Sequence, residues 1–349
     1  MLPGGSYPTS YAEDTAIVRT RLQWGLLIAA LALLFCLPLF VGRAWMFFVN
    51  VTMIYIIAVL GLNILTGCCG QISVAQAAFM AVGAYTSGIL VTKMGVPFVV
   101  AVPCAGIMAG LIGIIFGLPS LRIHGFYLLL ATLAAQFIIM WTIARAEPLT
   151  GGMPGMEVPA LQLGGMVFDT DQSYYYIIAV TLVIMTFLAS NVMRTKAGRA
   201  FIAIRDSDFS AEVMGINLHS YKLLAFFIGC FFAGVAGSLW AHYLGLINPE
   251  QFTLMQSIWF LGMMIIGGMG STLGVYLGTI SIRLLEEVTV IAGPSLAVAI
   301  PALGRQTTVA LAMIAFGVVI VLFLIFEPRG LAHRWEVFKY TYRLYPFSY

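Results

Sequence analysis

Gly61-Leu62-Asn63-Ile64-Leu65-Thr66-Gly67-Cys68-Cys69-Gly70-Gln71-Ile72-Ser73-Val74-Ala75-Gln76 is the stretch on which the reading of this chain turns. It lies between two apolar runs, at about 44–66 and 74–92. Each is long enough for a helix across a bilayer core of about 30 Å, which takes about 20 residues. Asn63, Thr66, Gln71, Ser73 and Gln76 then fall at membrane depth or at its edge. A polar group there must find a hydrogen bond or cost on the order of several kcal/mol. Gly67 and Gly70 interrupt the apolar pattern, and irregular backbone in a membrane is tolerated only where it is buried in protein or lines a wet cavity. Two readings stay open for these polar residues: hydrogen-bonding glue between helices, or the lining of a path through the membrane.

The whole chain repeats this character. Of 349 residues 61% are hydrophobic and 9% charged, against roughly 25% charged in a soluble domain. Such a chain cannot cover itself with polar surface. Thirty-six glycines and fourteen prolines suit membrane helices, where small residues permit close helix contact. Apolar segments fall at about 22–41, 44–66, 74–92, 97–118, 126–143, 174–191, 223–245, 257–267, 272–291 and 307–326. Gly/Pro clusters such as Val96-Pro97, Leu118-Pro119, Asn248-Pro249, Gly293-Pro294 and Glu327-Pro328 punctuate them. The expected fold class is therefore an all-α polytopic membrane protein of about ten transmembrane segments with Gly-interrupted helices, and no stretch reads as a separate soluble domain.

Basic residues set the expected orientation. One set of loops holds Arg19, Arg21, Arg122, Arg194, Lys196, Arg199, Arg205, Lys222, Arg329, Arg334, Lys339 and Arg343; the other holds Arg43, Lys93, Arg145 and Arg305. Both termini are then cytoplasmic. The chain divides into an N-terminal segment 1–21, a transmembrane domain 22–326 and a tail 327–349. Within the domain, a cytoplasmic loop spans 192–222 and an outside loop spans 144–172, the latter with Glu147, Glu157, Asp169 and Asp171 against Arg145. The N-terminal segment, with Glu13, Asp14 and Arg19, precedes an apolar run without a convincing cleavage site and reads as leading into a retained helix. In the tail, Trp335, Phe338, Tyr340, Tyr342 and Tyr345 alternate with Lys339 and Arg343, as in an interfacial segment.

Chemistry-bearing motifs are sparse. Cys36, Cys68, Cys69, Cys104 and Cys230 have no disulfide or metal-ligand spacing. His124, His219, His242 and His333 are scattered, and no catalytic triad can be assigned. No G-x-x-x-x-G-K-[ST] phosphate loop is present, so no ATP is hydrolysed on these residues. At an offset of 200 residues Gly67 and Gly70 fall opposite Gly267 and Gly270, in Gly267-Gly268-Met269-Gly270-Ser271. Paired Gly-interrupted segments point to a substrate path, so this candidate internal repeat makes Gly267, Gly268, Gly270 and Ser271 companions of the first stretch. Asp208 is placed to cap a short helix ending at Gly215. Arg283, Glu286 and Glu287 form a charge cluster inside an apolar segment, spaced so that Arg283 can pair with either carboxylate. They either face a cavity or partner or mark an outer helix end where charges snorkel.

The run Gly61 to Gly67 through Gly70-Gln71-Ile72-Ser73 and Gly83-Ala84-Tyr85-Thr86 resembles the signature of branched-chain amino acid ABC importer permeases, M-type. Further matches are Gly198-Arg199-Ala200, Ala203-Ile204-Arg205, Ala211-Glu212, Gly215-Ile216-Asn217, Tyr221 to Phe226, Ala233 to Leu239, Ile265 to Ser271 and Glu327-Pro328-Arg329-Gly330-Leu331. The resemblance covers roughly 40–332. It implies a second, H-type permease subunit, two cytoplasmic ATPase subunits that bind ATP and Mg, and a periplasmic binding protein, in a bacterial inner membrane. No cofactor is implied for this chain, and no nucleic-acid partner. It also implies that Asp208, Phe209, Glu212, Met214 and Gly215 contact an ATPase, the alternative being an ordinary positive-inside loop. Similar permeases carry urea, amides, sugars or aromatic and dicarboxylic acids. A third reading, a stand-alone ion-coupled carrier, needs intramembrane carboxylates, of which only Glu286 and Glu287 stand out.

Overall fold

A backbone in lipid has no water to bond, so each apolar run closes its hydrogen bonds internally as a helix. The computed structural model describes residues 21–40, 42–121, 125–163, 166–168, 170–299, 307–327 and 329–344. The N-terminal residues 1–20, Arg122, His124, Asp169, Arg305, Pro328 and Tyr345 lie outside these. In chain order the first helices are α1 (Arg21–Phe40), α2 (Arg43–Leu62), α3 (Gln76–Met94), α4 (Phe98–Gly117), α5 (Phe126–Arg145) and the single turn α6 (Glu147–Thr150). After them come α7 (Asp171–Arg194), α8 (Lys196–Asp206), α9 (Asp208–Val213), α10 (Leu218–Leu244), α11 (Leu254–Gly267), α12 (Thr272–Ala299), α13 (Thr307–Phe326) and α14 (Gly330–Leu344). Each of the ten apolar segments carries a helix. Among the described residues six are long and apolar enough to cross a membrane: Trp45–Cys68, Gln76–Met94, Phe98–Gly117, Phe126–Arg145, Asp171–Arg194 and Leu218–Leu244. Of the other helices, α11 has 14 residues, and α12 carries Arg283, Glu286 and Glu287.

The core forms around α10, which lies against α2, α3 and α4. Small residues set these distances. A Cβ on Gly237 of α10 would stand 1.9 Å from the carbonyl oxygen of Met80, and one on Gly83 of α3 would stand 2.2 Å from that of Gly234. The backbones of α3 and α10 therefore touch. On the α4 side, Gly106, Gly110 and Gly113 receive Phe231, Phe227 and Cys230 of α10. Without a hydrophobic force between helices in lipid, such close van der Waals packing supplies the association.

At one end of the bundle lie α8 and α9; call it the loop end. At the other, strands β1 (Met156–Glu157) and β4 (Leu246–Ile247) pair antiparallel, and β2 (Leu161–Leu163) pairs with β3 (Met166–Phe168). The β1–β4 ladder and a Val158 N–H to Gly245 carbonyl bond of 2.9 Å tie the 144–172 loop to the end of α10. Lys93 Nζ donates to the carbonyls of Pro148 and Leu149 at 2.6 and 3.0 Å. It serves the open C-terminal end of α6, where positive charge is favoured.

The α3–α10 contact predicts that Gly237→Val, which must push two backbones apart, removes most folded protein. Overpacking costs about 1–3 kcal/mol even among side chains. Gly25→Ala, with nothing within 4 Å of the new methyl, should leave the yield of monodisperse protein on size-exclusion chromatography unchanged. Equal yields for the two variants would contradict this packing.

Candidate functional site

The stretch after α2 does not continue as an α-helix. Asn63–Cys68 forms a π-helical turn, a local widening that often marks functional positions in helices. Gly70 follows at φ +73°, a left-handed conformation open to glycine at little cost. The chain then runs back without helix from Gln71 to Ala75. Gln76 Nε2 donates to the carbonyl of Ala58 at 2.7 Å, so α3 begins level with Ala58. Ala58 lies ten residues before Cys68 in the chain, a rise of roughly 15 Å at helical spacing. This is a re-entrant segment, and α3 starts inside the bundle.

A helix starting there exposes N–H groups that have no partner of their own. Ala77 N–H donates to Ser257 Oγ of α11 at 2.9 Å, and Ala78 N–H donates to Gln136 Oε1 of α5 at 3.1 Å. Ser257 Oγ donates to the same Gln136 Oε1 at 3.1 Å, and Gln136 Nε2 donates to the Phe252 carbonyl at 2.9 Å. Val74 N–H finds Thr132 Oγ1 at 3.2 Å, and Ala75 N–H finds Ser73 Oγ at 3.4 Å. Thr66 Oγ1 donates to the Gln71 carbonyl at 3.0 Å, and the Gly70 and Gln71 N–H groups return to Thr66 and Leu65. Asn63, Thr66, Gln71, Ser73 and Gln76 are all buried. Gln136, Ser257 and Thr132, which complete the network, carry no local sequence signal: Gln136 and Thr132 are isolated polar residues in an apolar run and Ser257 follows Gln256 at a helix start, so each is identifiable only by its distant partner.

The two glycine turns meet. Asn63 Oδ1 accepts from the Gly270 N–H at 2.7 Å, and Cys68 Sγ lies 4.0 Å from the Gly270 carbonyl. Gly270 is itself left-handed at φ +82°. Gly67 and Gly267 are buried, whereas Gly70 and Gly270 reach the surface and Ser271 is half-buried. After the turns the two stretches differ: Gly70 leads into the re-entrant segment, while α12 starts at Thr272 with Ser271 Oγ accepting from Gly274 N–H at 3.1 Å. Cys69 is buried beside them, and burial pushes its thiol up to about 12. It is therefore a protonated, weakly reactive thiol at neutral pH. Among the described residues no group of three or more His, Cys, Asp or Glu is placed to hold a metal.

The short helix at 208–213 is present, with a correction to its cap. Ser207, not Asp208, is the N-cap, its hydroxyl accepting from Ser210 N–H at 3.2 Å. Asp208 instead reaches Lys222 of α10, Oδ2 to Nζ 2.7 Å, with the lysine side chain only 2% exposed. A buried ammonium demands a carboxylate partner, and this claim outranks capping. Gly215 ends the segment at φ +82°. Ala211 faces inward, while Phe209, Val213 and Met214 are 77%, 72% and 83% exposed and Glu212 is also exposed.

Arg283 pairs with Glu286, the closer of the two carboxylates in sequence. Its guanidinium lies 5.3 Å from the ring centroids of both Phe48 and Tyr55 on α2. That places the charge against aromatic faces, with Arg283 buried and Glu286 and Glu287 half-buried beside it. Neither the cluster nor α9 shares a hydrogen bond with the polar network around Gln136 among the described residues.

Gln136→Leu would strand the Ala78 N–H and the Phe252 carbonyl together. Unpartnered buried groups cost about 1–3 kcal/mol each, so thermal unfolding in detergent should move down by several degrees. Thr142→Val, which loses only a bond to the carbonyl of Ile138 on an exposed face of α5, should leave the midpoint in place. Coincident midpoints for both variants would contradict the capping role.

The model of the family described as branched-chain amino acid transport system / permease component matches residues 45–326. The chain is 33% identical over 300 residues to the high-affinity branched-chain amino acid transport system permease protein LivM of Escherichia coli, covering 79% of this chain and 70% of that one. It is 26% identical over 302 residues to BraD, named likewise, of Pseudomonas aeruginosa (82% and 93% covered). It is 23% identical over 280 residues to the autoinducer 2 import system permease protein LsrC of E. coli (76% and 78%). No solved structure matches. A family match across four-fifths of the chain, on a bundle of membrane-length helices interrupted by paired glycine turns, establishes that the chain belongs to the branched-chain amino acid transport system permease family.

Proposed function

We propose that this chain is the M-type half of a heterodimeric pore that imports branched-chain amino acids, the cargo named for LivM and BraD. One observation carries the mechanism: the two glycine turns are hydrogen-bonded to each other at the end of the bundle where α8 and α9 sit. An H-type permease forms the other half, two cytoplasmic ATPases bind ATP and Mg, and a periplasmic binding protein delivers solute. The path runs beside Asn63, Thr66, Gly67, Gly70, Gln71, Ser73 and Gln76 and beside Gly267, Gly268, Gly270 and Ser271. The apolar helices make up about ten transmembrane segments of the bacterial inner membrane with both termini cytoplasmic, so 1–21 and 327–349 flank a transmembrane domain at 22–326.

The exposed apolar face of α9 supports it as the ATPase contact. Phe209, Val213 and Met214 form an apolar patch on a polar surface, and such patches mark interaction sites. Opposite it, buried Lys222 of α10 pairs with half-buried Asp208 of α9, so a push on Phe209 is delivered to the central helix. A stand-alone ion-coupled carrier finds less support, because Glu286 is already engaged by Arg283.

Two measurements check this reading. In a chain with single introduced cysteines, a site at Glu157 should react with impermeant reagent from outside only and a site at Arg199 from inside only; reversed sidedness overturns the orientation. In the whole complex reconstituted in lipid, Phe209→Ala should cut solute-stimulated ATP hydrolysis and transport by about thirtyfold, since a buried aromatic anchor is worth about 2 kcal/mol or more. Solute affinity of the binding protein stays as it was. Parent-like coupling in both Phe209→Ala and Glu212→Ala complexes would move the lever elsewhere.

A further inference from the structure

Arg205 closes α8, and its side chain lies across both glycine turns. Its Nη1 donates to the Gly67 carbonyl at 3.3 Å. A Cβ built on Gly270 would stand 3.3 Å from the same Nη1, and one on Gly70 would stand 3.2 Å from Arg205 Cγ and 3.3 Å from Arg205 Cα. The contact at Gly70 is thus with backbone as well as side chain. Asp206 Oδ1 accepts from Nε at 3.1 Å and from Nη2 at 3.0 Å, which fixes the plane of the guanidinium and leaves Nη1 for the turn. The arginine side chain is 40% exposed, so the contact is made at the surface of the loop end. Beneath it the turns are joined by the Gly270 N–H to Asn63 Oδ1 bond at 2.7 Å and by the longer Cys68 Sγ to Gly270 carbonyl contact at 4.0 Å. A planar fork that bonds a carboxylate with one edge and a backbone carbonyl with another is a role for arginine that a lysine fills only in part.

We propose that Arg205 is a positioning residue that holds the two glycine turns against each other at rest. Displacement of α8 and α9 then withdraws Nη1 from the Gly67 carbonyl and lets the turns part, opening the loop end of the path. The proposal rests on the reading of the chain as an ATPase-driven permease, and it adds the atom through which loop movement reaches the path. Cys68, buried at the junction and 4.0 Å from the Gly270 carbonyl, is a native reporter of that parting.

The test uses the complete transporter in lipid, with Cys36, Cys69, Cys104 and Cys230 replaced by alanine so that Cys68 is the thiol of this chain, the partner subunits also being cysteine-free. Alkylation of Cys68 by N-ethylmaleimide is timed at rest and during ATP turnover, beside transport per ATP hydrolysed. In the parent, Cys68 should be protected at rest and exposed during turnover. In Arg205→Gln it should react about fivefold faster at rest, the scale set by losing one charge-assisted hydrogen bond at a partly exposed site, with less solute moved per ATP. Arg205→Lys should recover part of both. A merely structural arginine would lower the amount of complex and leave the ratio of transport to hydrolysis in the survivors unchanged, and that result overturns the proposal. If Arg205→Gln does not assemble, Asp206→Asn decides: its exposed carboxylate orients the fork without touching the turns, so faster resting alkylation sustains the proposal and parent-like protection overturns it. A parent complex without solute-stimulated ATP hydrolysis would instead overturn the permease reading itself, whatever the state of Cys68.

Discussion

The amide groups at the start of α3 open inside the apolar interior, and the hydrogen bonds that Ser257 and Gln136 offer to Ala77 and Ala78 are the constraint on which the rest depends. Buried N–H groups at a helix start need partners, and here protein supplies them. They come from two other helices, α11 and α5, and Gln136 also takes the Phe252 carbonyl at the approach to α11. One buried amide thereby fixes the relative depth of α3, α5 and α11. A re-entrant segment, which in isolation would be a cluster of unpaired groups, becomes a rigid joint.

Glycine serves two unrelated ends in this bundle. Gly83 and Gly237 are needed for want of a side chain, because backbone lies where their Cβ atoms would go. Gly70 and Gly270 are needed for their left-handed φ, which turns the chain sharply at the loop end. The first kind makes the bundle tight around α10. The second makes two places where a helix stops short, and the bond between Asn63 and Gly270 sets those places side by side.

The loop of α8 and α9 is built as an element with two faces. Phe201, Ile204 and Ala211 are buried while Phe209, Val213 and Met214 are exposed, so the loop is seated on the bundle and still presents apolar surface outward. Its seating is polar as well as apolar: Asp208 meets Lys222, and Arg205 meets the Gly67 carbonyl. A buried ion pair adds little net stability once desolvation is counted, but breaking one is costly. Such a contact specifies where the loop sits.

The solvent class, the helices and the family are legible in the chain alone. An apolar run of membrane length has one way to satisfy its backbone, and the order Gly61 to Gly67, Gly70 to Ser73 and Ile265 to Ser271 is dense enough to point to a permease. It also placed Gly70 and Gly270 as turns and a short helix near Asp208. Packing settles the rest: α3 begins at depth, its caps are Ser257 and Gln136, Ser207 and not Asp208 caps α9, and Arg283 lies against Phe48 and Tyr55. The reason is physical: turn chemistry and helix periodicity act over a few neighbours in the chain, whereas a buried polar group is satisfied by whatever packs against it. Ala77 is bonded to a residue 180 positions away, and no local pattern records that distance.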